Sequence, residues 1–401
     1  MARIGILGGT FNPPHTGHIL AAKEAIKALE LDKLLLIPAA TPPHKTVPEG
    51  SPDAELRLTM TRAAVAEYPE IEVSDIELRR TGLSYTSDTL RELRRQYPEP
   101  ENTLFLIMGT DMFLTLRAWH EPEAIMSMAV IVAMSREEKS RYEAMEQEKQ
   151  LLEKAFGANI ILLRNSPIEI SSSTVRRMMI LGGAQHYVVP AVMKLVAENH
   201  LYGYGLDYKG LSDEELRRIG LGLLKSKRVN HVIGCAETAV KLAHAHGADE
   251  TVALRAGLLH DVTKALDGND QLLLVEEYGI ILDDFERRYP KLLHAKTGAA
   301  VAEHVFGESP EVVSAINWHT TGRADMTLME KIIYIADYME PNRSFPGVDT
   351  LRERVWEDLD QGLLLGFEMC IEELIRENKP VCSTSQGALD FLRAELAAKE
   401  I

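Results

Sequence analysis

The chain has few cysteines, few aromatic residues and a minority of basic residues. Its 401 residues include three cysteines and 6% aromatic side chains, and 44 Lys and Arg stand against 60 Asp and Glu. The spacing of Cys235, Cys370 and Cys382 matches neither a metal knuckle nor a redox pair, which predicts reduced core thiols. A formal charge of −16 would repel a phosphate backbone, so no nucleic-acid partner is predicted.

Long apolar runs are also missing. A bilayer span needs roughly 20 apolar residues, and the longest candidate, around Ala124 to Met134, has about half that length. The first residues are broken by glycines too early for a signal peptide. We therefore expect no membrane partner and a cytoplasmic location, and the sequence leaves homo-oligomer formation open.

The length and the pattern of apolar residues predict two domains. A mass of 44.7 kDa exceeds the usual size of one core. Up to about residue 200, strand-like runs alternate with helical patterns, which is typical of βαβ units and a parallel sheet. The strand candidates are Arg3–Leu7, Lys33–Pro38, Ile71–Leu78, Thr103–Met108, Ala129–Ala133 and Asn159–Leu163. We predict an α/β domain over residues 1–203, a linker over 204–210 and an all-α domain over 211–401, beginning at a Ser212–Glu215 capping box.

A loop rich in glycine and histidine follows the first predicted strand and leads into a helical apolar pattern. It reads Gly8-Gly9-Thr10-Phe11-Asn12-Pro13-Pro14-His15-Thr16-Gly17-His18. The glycines allow close backbone approach, and a helix N-terminus with its unpaired amides suits a phosphate. Two histidines three residues apart can both donate to phosphate oxygens as charge develops in phosphoryl transfer. The loop therefore predicts a nucleotide site rather than a plain glycine turn.

This loop resembles the signature of the nucleotidylyltransferase superfamily, which has a Rossmann-like fold and an H-x-G-H motif, here His15 to His18. A second matching element is Ile170-Ser171-Ser172-Ser173-Thr174-Val175-Arg176, a Ser/Thr-rich helix start that ends in arginine. The resemblance implies a parallel sheet with helices on both faces and ATP with Mg²⁺ as ligands. It also implies that His15, His18 and Arg176 are catalytic, with Arg176 neutralising the triphosphate.

Three further segments narrow the resemblance to nicotinate-nucleotide adenylyltransferases, which make deamido-NAD from ATP and nicotinate mononucleotide. They are Thr41-Pro42-Pro43-His44-Lys45, Ser84-Tyr85-Thr86-Ser87-Asp88-Thr89-Leu90, and Gly109-Thr110-Asp111 with Trp119 downstream. By this resemblance Lys45 meets the mononucleotide phosphate, Asp111 lies near a ribose, and Thr86 and Trp119 border the pyridine ring. His120 stands where the family commonly has an aromatic residue. The implied nucleotide-binding residues are Gly8, Gly9, Thr10, Phe11, Lys45, Thr86, Gly109, Asp111, Trp119, Ser171, Ser172 and Ser173.

The helical half carries ligand-type residues in apolar surroundings. In chain order they are His231, His260, Asp261, His294, His319 and Asp337. Buried polar groups need partners, and imidazole together with carboxylate suits a divalent transition metal. This order predicts a metal site; His244, His246 and His304 lie outside it and are interpreted as ordinary histidines.

The same order resembles the HD-domain metallophosphohydrolases, named for the adjacent His-Asp pair. The segments Arg228-Val229-Asn230-His231-Val232, Leu259-His260-Asp261-Val262-Thr263-Lys264, Trp318-His319-Thr320-Thr321-Gly322 and Ala336-Asp337-Tyr338-Met339-Glu340-Pro341-Asn342-Arg343 resemble the symmetrical bis(5′-nucleosyl)-tetraphosphatases. That family cleaves diadenosine tetraphosphate to two ADP and is associated with iron. The resemblance implies His231, His260, Asp261 and Asp337 as ligands of iron or another divalent metal.

The remaining residues of the helical half have more open roles. His294 and His319 are expected to hold a second ion or to contact phosphate, and Lys264 and Arg343 to stabilise phosphoryl charge; Lys264 is expected to be catalytic. The expected partners of the whole chain are ATP, nicotinate mononucleotide and dinucleoside polyphosphates. Three alternatives stay open: adenylyl or cytidylyl transfer to another phosphate substrate, a regulatory nucleotide-binding module in the helical half, and hydrolysis there of another nucleotide such as a guanosine alarmone.

Overall fold

The structure of the protein is a computed structural model, and it describes residues 1–43, 48, 50–135, 139–164 and 170–399. The chain folds into two compact units, Met1–Leu206 and Asp207–Ile401. None of the helices in these described ranges is long and apolar enough to cross a membrane.

The first unit is built on one parallel sheet of six strands in the described part of the chain. The strands are β1 Ala2–Gly9, β2 Lys33–Pro38, β3 Ile71–Val73, β4 Asn102–Gly109, β5 Val130–Ser135 and β6 Ile160–Arg164. Their order is β3-β2-β1-β4-β5-β6, and every neighbouring pair is parallel. The chain therefore reverses its direction of winding between β1 and β4, which is where open α/β sheets bind ligands.

Helices flank this sheet and cover its apolar strands. They are α1 Thr16–Leu29, α2 Ala54–Val65, α3 Thr86–Gln96, α4 Thr110–Phe113, α5 Pro122–Met128, α6 Lys139–Phe156, α7 Ser172–Leu181 and α8 Pro190–Glu198. Short 3₁₀ turns lie at Leu116–Ala118, Ala184–His186 and Leu201–Gly203. Strand residues such as Ile4, Leu104 and Ile131 are fully buried, as the near-continuous apolar runs of a parallel sheet require.

The second unit is helical throughout its described residues. Its helices are α9 Asp213–Gly222, α10 Ser226–His246, α11 Glu250–Leu259, α12 Gly268–Glu277, α13 Asp284–Arg288, α14 Leu293–His304, α15 Pro310–Trp318, α16 Leu328–Met339, α17 Val348–Glu357, α18 Leu359–Arg376 and α19 Ser383–Lys399, with a 3₁₀ turn at Pro290–Leu292. The predicted capping box starts α9, where the Ser212 N–H donates to Glu215 Oε2 at 3.0 Å. The predicted fold class, a parallel α/β sheet followed by an all-α region, is confirmed.

The third strand is shorter than the sequence suggests. The expected strand Ile71–Leu78 ends at Val73, because the next residues form a turn in which the Leu78 and Arg79 N–H groups both donate to the Asp75 carbonyl. The Ser74 hydroxyl also accepts from the Ile76 N–H at 3.3 Å, a local bond that favours a turn over a strand. All three cysteines are free thiols, with Cys235 and Cys382 buried and Cys370 partly exposed.

Candidate active sites

The first site is a cavity of about 620 Å³ at the carboxyl ends of β1 and β4. Its floor is formed by strand residues that include Gly8, Gly9 and Gly109, and its rim by the starts of α1, α3 and α7. Glycines at the ends of two neighbouring strands let a ligand approach the backbone. Three helix N-termini, each the positive end of a helix dipole, give this cavity a preference for anions.

His15 and His18 lie together at the start of α1, with ring centroids 3.7 Å apart. His15 is 4% exposed, and burial, followed by the neighbouring His18, lowers its pKa well below the ordinary value. The His15 N–H donates to His18 Nδ1 at 3.2 Å, so a neutral His18 ring carries its proton on Nε2. Phe11, in a left-handed conformation with φ 45°, packs edge-on against His18 at 4.8 Å between ring centroids. The turn therefore fixes both the tautomer and the position of His18.

The loop before His15 is held by buried and half-buried polar side chains. Arg176 donates from Nη1 to the Asn12 carbonyl at 2.7 Å and from Nη2 to Ser173 Oγ at 3.1 Å. Burial, followed by repulsion from Arg177, lowers the pKa of Arg176. Tyr202 donates to Asn12 Oδ1 at 2.6 Å, which ties the end of this unit to the same loop.

Arg57 is a second arginine behind this loop, and sequence reasoning did not single it out. It is 2% exposed and donates from Nη1 to the Thr10 carbonyl at 2.7 Å and from Nη2 to the Ala40 carbonyl at 3.2 Å. Burial lowers its pKa. These bonds join the loop after β1 to the loop after β2, so Arg57 fixes two walls of the cavity.

Another wall of the cavity is formed by α3, by α4 and by the segment that follows α4. Thr86, Asp111 and Trp119 all lie on its surface. His120 stacks on Tyr85 with ring centroids 4.2 Å apart, so the imidazole takes the place of an aromatic ring in this wall. Glu77 and Thr89 also line the cavity. Glu77 accepts a hydrogen bond from the Thr89 hydroxyl at 2.7 Å, and burial raises the pKa of Glu77.

The second site lies in the helical unit, where ligand-type residues from five helices meet. His231 comes from α10, His260 and Asp261 follow α11, His294 lies in the first turn of α14, His319 follows α15, and Asp337 lies in α16. Gly257 lets α10 and α11 approach, because a Cβ there would lie 2.6 Å from the Ala236 Cα. The helix contact thereby brings His231 Nε2 within 3.3 Å of His260 Nε2.

These residues form two overlapping groups around Asp261. In the first, His231 Nε2 lies 3.0 Å from Asp337 Oδ1 and 3.7 Å from Asp261 Oδ2, and His260 Nε2 lies 3.6 Å from Asp261 Oδ2. In the second, Asp261 Oδ1 lies 3.4 Å from His294 Nε2 and 3.9 Å from His319 Nε2. The sets His231, His260, Asp337 and His260, Asp261, His319 each place their donor atoms within 4.8 Å of one another.

All four imidazoles present the same nitrogen to the centre of the site. His260, His294 and His319 each direct Nδ1 at a backbone carbonyl three residues earlier, at 2.7 to 2.8 Å. Nδ1 of His231 faces Glu340 Oε1 at 3.1 Å. A carbonyl can only accept, so Nδ1 carries the proton and the Nε2 lone pairs converge.

Residues of this kind fit a divalent transition metal. Asp261 Oδ1 is buried without a hydrogen-bond donor among the described residues, and a buried carboxylate oxygen requires a proton donor or a cation. Burial, and then the neighbouring His319 and Lys264, lower the pKa of His294 well below its ordinary value, and burial lowers the pKa of His319 to about 4. The lowered pKa values favour neutral rings at pH 7, which is the state in which imidazole can bind a metal.

Three cations surround these carboxylates and imidazoles. Arg228 pairs with Asp261 Oδ2, its Nε at 2.5 Å, and Arg343 Nη2 donates to Asp337 Oδ1 at 2.7 Å. Lys264 Nζ lies 2.9 Å from His294 Nε2, and burial lowers the pKa of this lysine. Burial raises the pKa of Asp261 and Asp337, but the surrounding histidines, joined by Arg343 at Asp337, outweigh it and hold both pKa values below their usual range.

Comparison with known proteins assigns the first unit. A family model described as cytidylyltransferase-like matches residues 6–178. A probable nicotinate-nucleotide adenylyltransferase of Geobacter metallireducens is 43% identical in an alignment of 217 residues that covers 50% of this chain and 98% of that protein. The chain belongs to the nicotinate-nucleotide adenylyltransferase family. A second probable nicotinate-nucleotide adenylyltransferase, from Oceanobacillus iheyensis, is 36% identical over 51% of this chain and 99% of its own length.

The part of the chain beyond this adenylyltransferase half contains an HD domain, whose family model matches residues 228–342. A crystal structure from Clostridium acetobutylicum, described as a predicted HD superfamily hydrolase involved in NAD metabolism, is 38% identical to this chain. It covers 46% of this chain and 98% of its own, with a TM-score of 0.45. The HD model spans His231, His260, Asp261, His294, His319 and Asp337.

Most residues that sequence reasoning assigned to the adenylyltransferase site line its cavity. They are Gly8, Gly9, Thr10, His15, His18, Thr86, Gly109, Asp111, Trp119, Ser171 and Ser172. Phe11, Ser173 and Arg176 lie behind the surface, where Phe11 supports His18 and the other two bond to each other. Lys45 lies outside the described residues. Its role in binding the mononucleotide phosphate remains a prediction.

Gly17, the glycine of the H-x-G-H motif, leaves room for the His15 ring. A Cβ at this position would lie 3.0 Å from His15 Nδ1 and 3.2 Å from His15 Cε1. We expect Gly17→Ala to displace the His15 ring and lower kcat for adenylyl transfer by about 10- to 100-fold, since small misplacements at a reacting centre are costly. Steady-state kinetics beside Gly222→Ala, at the end of α9 and outside the cavity, where a Cβ would meet nothing within 4 Å, checks this. Equal kcat values for the two variants would contradict it.

Proposed function

We propose that the first unit transfers AMP from ATP to nicotinate mononucleotide. The mononucleotide phosphate oxygen forms a bond to the α-phosphorus of ATP, the bond to the β-phosphate bridging oxygen breaks, and pyrophosphate leaves with that electron pair. The paired His15–His18 turn at the end of β1 carries this proposal together with the family membership. Mg²⁺ bound with ATP would supply charge neutralisation at the phosphates.

The residues of this site would act by positioning and by electrostatics. His18 Nε2–H would donate to a phosphate oxygen as negative charge grows, while His15 orients His18 through its backbone N–H. Arg176 would hold the loop and add positive potential behind the phosphates. Trp119 and the Tyr85–His120 pair offer flat surfaces for the pyridine ring.

We propose that the HD domain hydrolyses diadenosine tetraphosphate symmetrically to two ADP. The observation that carries this proposal is the convergence of four imidazole Nε2 atoms on Asp261 and Asp337 within a ring of three cations. A divalent metal at His231, His260, Asp261 and Asp337, which we propose to be iron, would lower the pKa of a coordinated water. Arg228, Lys264 and Arg343 would neutralise the phosphate chain of a highly anionic substrate.

We further propose that His294 and His319 hold a second ion rather than phosphate. A neutral ring whose proton lies on Nδ1 offers a lone pair at Nε2, and a phosphate oxygen needs a proton donor instead. Asp261 would help to hold both ions, because its Oδ2 lies 3.7 Å from His231 Nε2 and its Oδ1 lies 3.4 Å from His294 Nε2.

The experiment that tests the hydrolase proposal combines metal analysis with product identification. Protein purified without oxygen is analysed for iron and other transition metals and then offered a panel of dinucleoside polyphosphates and guanosine tetraphosphate. Metal-dependent formation of two ADP from diadenosine tetraphosphate is expected. Tight binding of these nucleotides without turnover would instead favour a regulatory module, and turnover of the guanosine compound alone would favour another hydrolase.

We also predict that the two units work separately, because each closes its own core and holds its own site. Expressing residues 1–206 and 207–401 as separate proteins should give two soluble pieces, with adenylyl transfer in the first and metal-dependent hydrolysis in the second. Specific activities within about threefold of the full chain are expected. A piece that regains activity only when its partner is added would contradict this prediction.

A further inference from the structure

A buried carboxylate, Glu340, stands directly behind one of the proposed metal ligands. It follows the last residue of α16 and is 1% exposed. Its Oε1 lies 3.1 Å from His231 Nδ1, on the side of the ring that faces away from Asp261 and Asp337. Its Oε2 accepts from the Asn342 backbone N–H at 2.7 Å and from Asn342 Nδ2 at 2.8 Å. One oxygen is thus already satisfied, and the other is left to His231.

This arrangement fixes the orientation of His231. A buried carboxylate accepts hydrogen bonds, so the His231 proton lies on Nδ1 and the Nε2 lone pair points at the metal position. His260, His294 and His319 use neutral backbone carbonyls for the same purpose, whereas His231 uses an anion. A carboxylate bonded to the far nitrogen makes an imidazole a stronger ligand.

Gly234, one helical turn after His231, provides the space for this carboxylate. A Cβ on Gly234 would lie 2.3 Å from Glu340 Oε2 and 3.0 Å from Asn342 Nδ2. These atoms are at the ends of side chains, so an alanine would push the carboxylate away while leaving the backbone of α10 in place. Glycine lowers the stability of a helix, but at this position of α10 it leaves the space that the Glu340 carboxylate occupies.

We propose that Glu340 is a positioning residue, which holds His231 as an Nε2 ligand and strengthens metal binding without touching the ion itself. This inference rests on the proposed metal site in the HD domain. It predicts that metal affinity depends on the Glu340 carboxylate and on the glycine that makes room for it.

The test measures Co²⁺ affinity of the full chain after chelator treatment, by competition with a coloured chelator, together with the d–d spectrum of bound Co²⁺. Glu340→Gln should weaken Co²⁺ binding by about 10-fold, and Glu340→Ala by about 100-fold, because glutamine can still accept from Nδ1–H but lacks the charge. Gly234→Ala should also weaken it by about 10-fold. All three variants should shift the Co²⁺ spectrum, because the d–d bands respond to the position and donor strength of His231 as well as to the identity of the ligands.

Two matched controls separate positioning from a general loss of stability. Glu330→Gln removes a different buried carboxylate, which lies in α16 and pairs with Ser314 and Arg323. Gly387→Ala adds a Cβ in α19 where nothing lies within 4 Å. Both should bind Co²⁺ as the unmodified chain does. If Glu340→Gln fails to fold, Gly234→Ala still tests the role of Glu340. This variant should fold, because alanine favours a helix and the carboxylate is retained.

The outcomes distinguish this inference from the proposed function on which it rests. An unmodified chain that binds Co²⁺ tightly, with Gly234→Ala and the folded Glu340 variants bound equally tightly, would overturn the role of Glu340 alone. An unmodified chain that does not bind Co²⁺ would overturn the metal site and this inference together.

Discussion

Replacing Asp261 with alanine is expected to abolish hydrolysis of diadenosine tetraphosphate, by roughly 1,000-fold or more, and to leave adenylyl transfer within about twofold. Asp261 has one oxygen near each group of proposed ligands, so its loss would remove a donor from both at once. It also leaves Arg228 without its partner in the centre of the site. Loss of an essential ligand removes the means of activating water, which explains the size of the effect.

Metal content and the two activities check this prediction in one preparation. Asp261→Asn, which keeps the shape of the side chain, should also lose bound metal, whereas Asp390→Ala, which removes an exposed carboxylate of α19, should keep metal and both activities. An Asp261→Ala protein that hydrolyses the dinucleotide at the original rate would exclude Asp261 from the reaction. A parallel loss of adenylyl transfer would mean that the two sites are coupled.

Replacing His18 with alanine is expected to lower kcat for deamido-NAD formation by about 100- to 1,000-fold, with a smaller change in KM. The removed group is the proposed donor to a phosphate oxygen, and losing one such donor typically costs this much. The effect should fall on kcat because the donated bond strengthens as charge builds up in the transition state.

The control for His18 is His186→Ala, which removes an exposed histidine from a 3₁₀ turn outside the cavity. It should retain full adenylyl transfer, and both variants should keep hydrolysis by the HD domain. Circular dichroism and thermal unfolding confirm that His18→Ala remains folded. A folded His18→Ala protein with unchanged kcat would remove His18 from the mechanism.

The overall architecture was predictable because the spacing of apolar residues along the chain indicates where strands and helices form. Continuous apolar strands alternating with helical patterns predicted a parallel sheet, and the loss of strand patterns after residue 202 predicted the helical half. The end of β3 at Val73 was not predictable from hydrophobicity alone, because Ile76 and Leu78 are apolar yet sit in a turn closed on the Asp75 carbonyl. Local hydrogen bonds outweighed the apolar pattern there.

The candidate reactive residues were predictable from sequence where they belong to one short motif. The residues that position them through hydrogen bonds were not predictable. His15 and His18 are three residues apart, and the sequence indicates that they meet. Glu340 reaches His231 across 109 positions, and Arg57 reaches the Thr10 carbonyl across 47. Only tertiary packing brings such groups together. The sequence alone does not distinguish a buried arginine or glutamate from an exposed one.

The most direct test of the account is product identification for the full chain, purified without oxygen and supplied with diadenosine tetraphosphate in one reaction and with ATP plus nicotinate mononucleotide in another. The account predicts two ADP from the first, lost when a chelator removes the metal, and deamido-NAD with pyrophosphate from the second. ATP plus AMP from the first reaction would contradict symmetric cleavage, and absence of deamido-NAD from the second would contradict the assignment of the adenylyltransferase site.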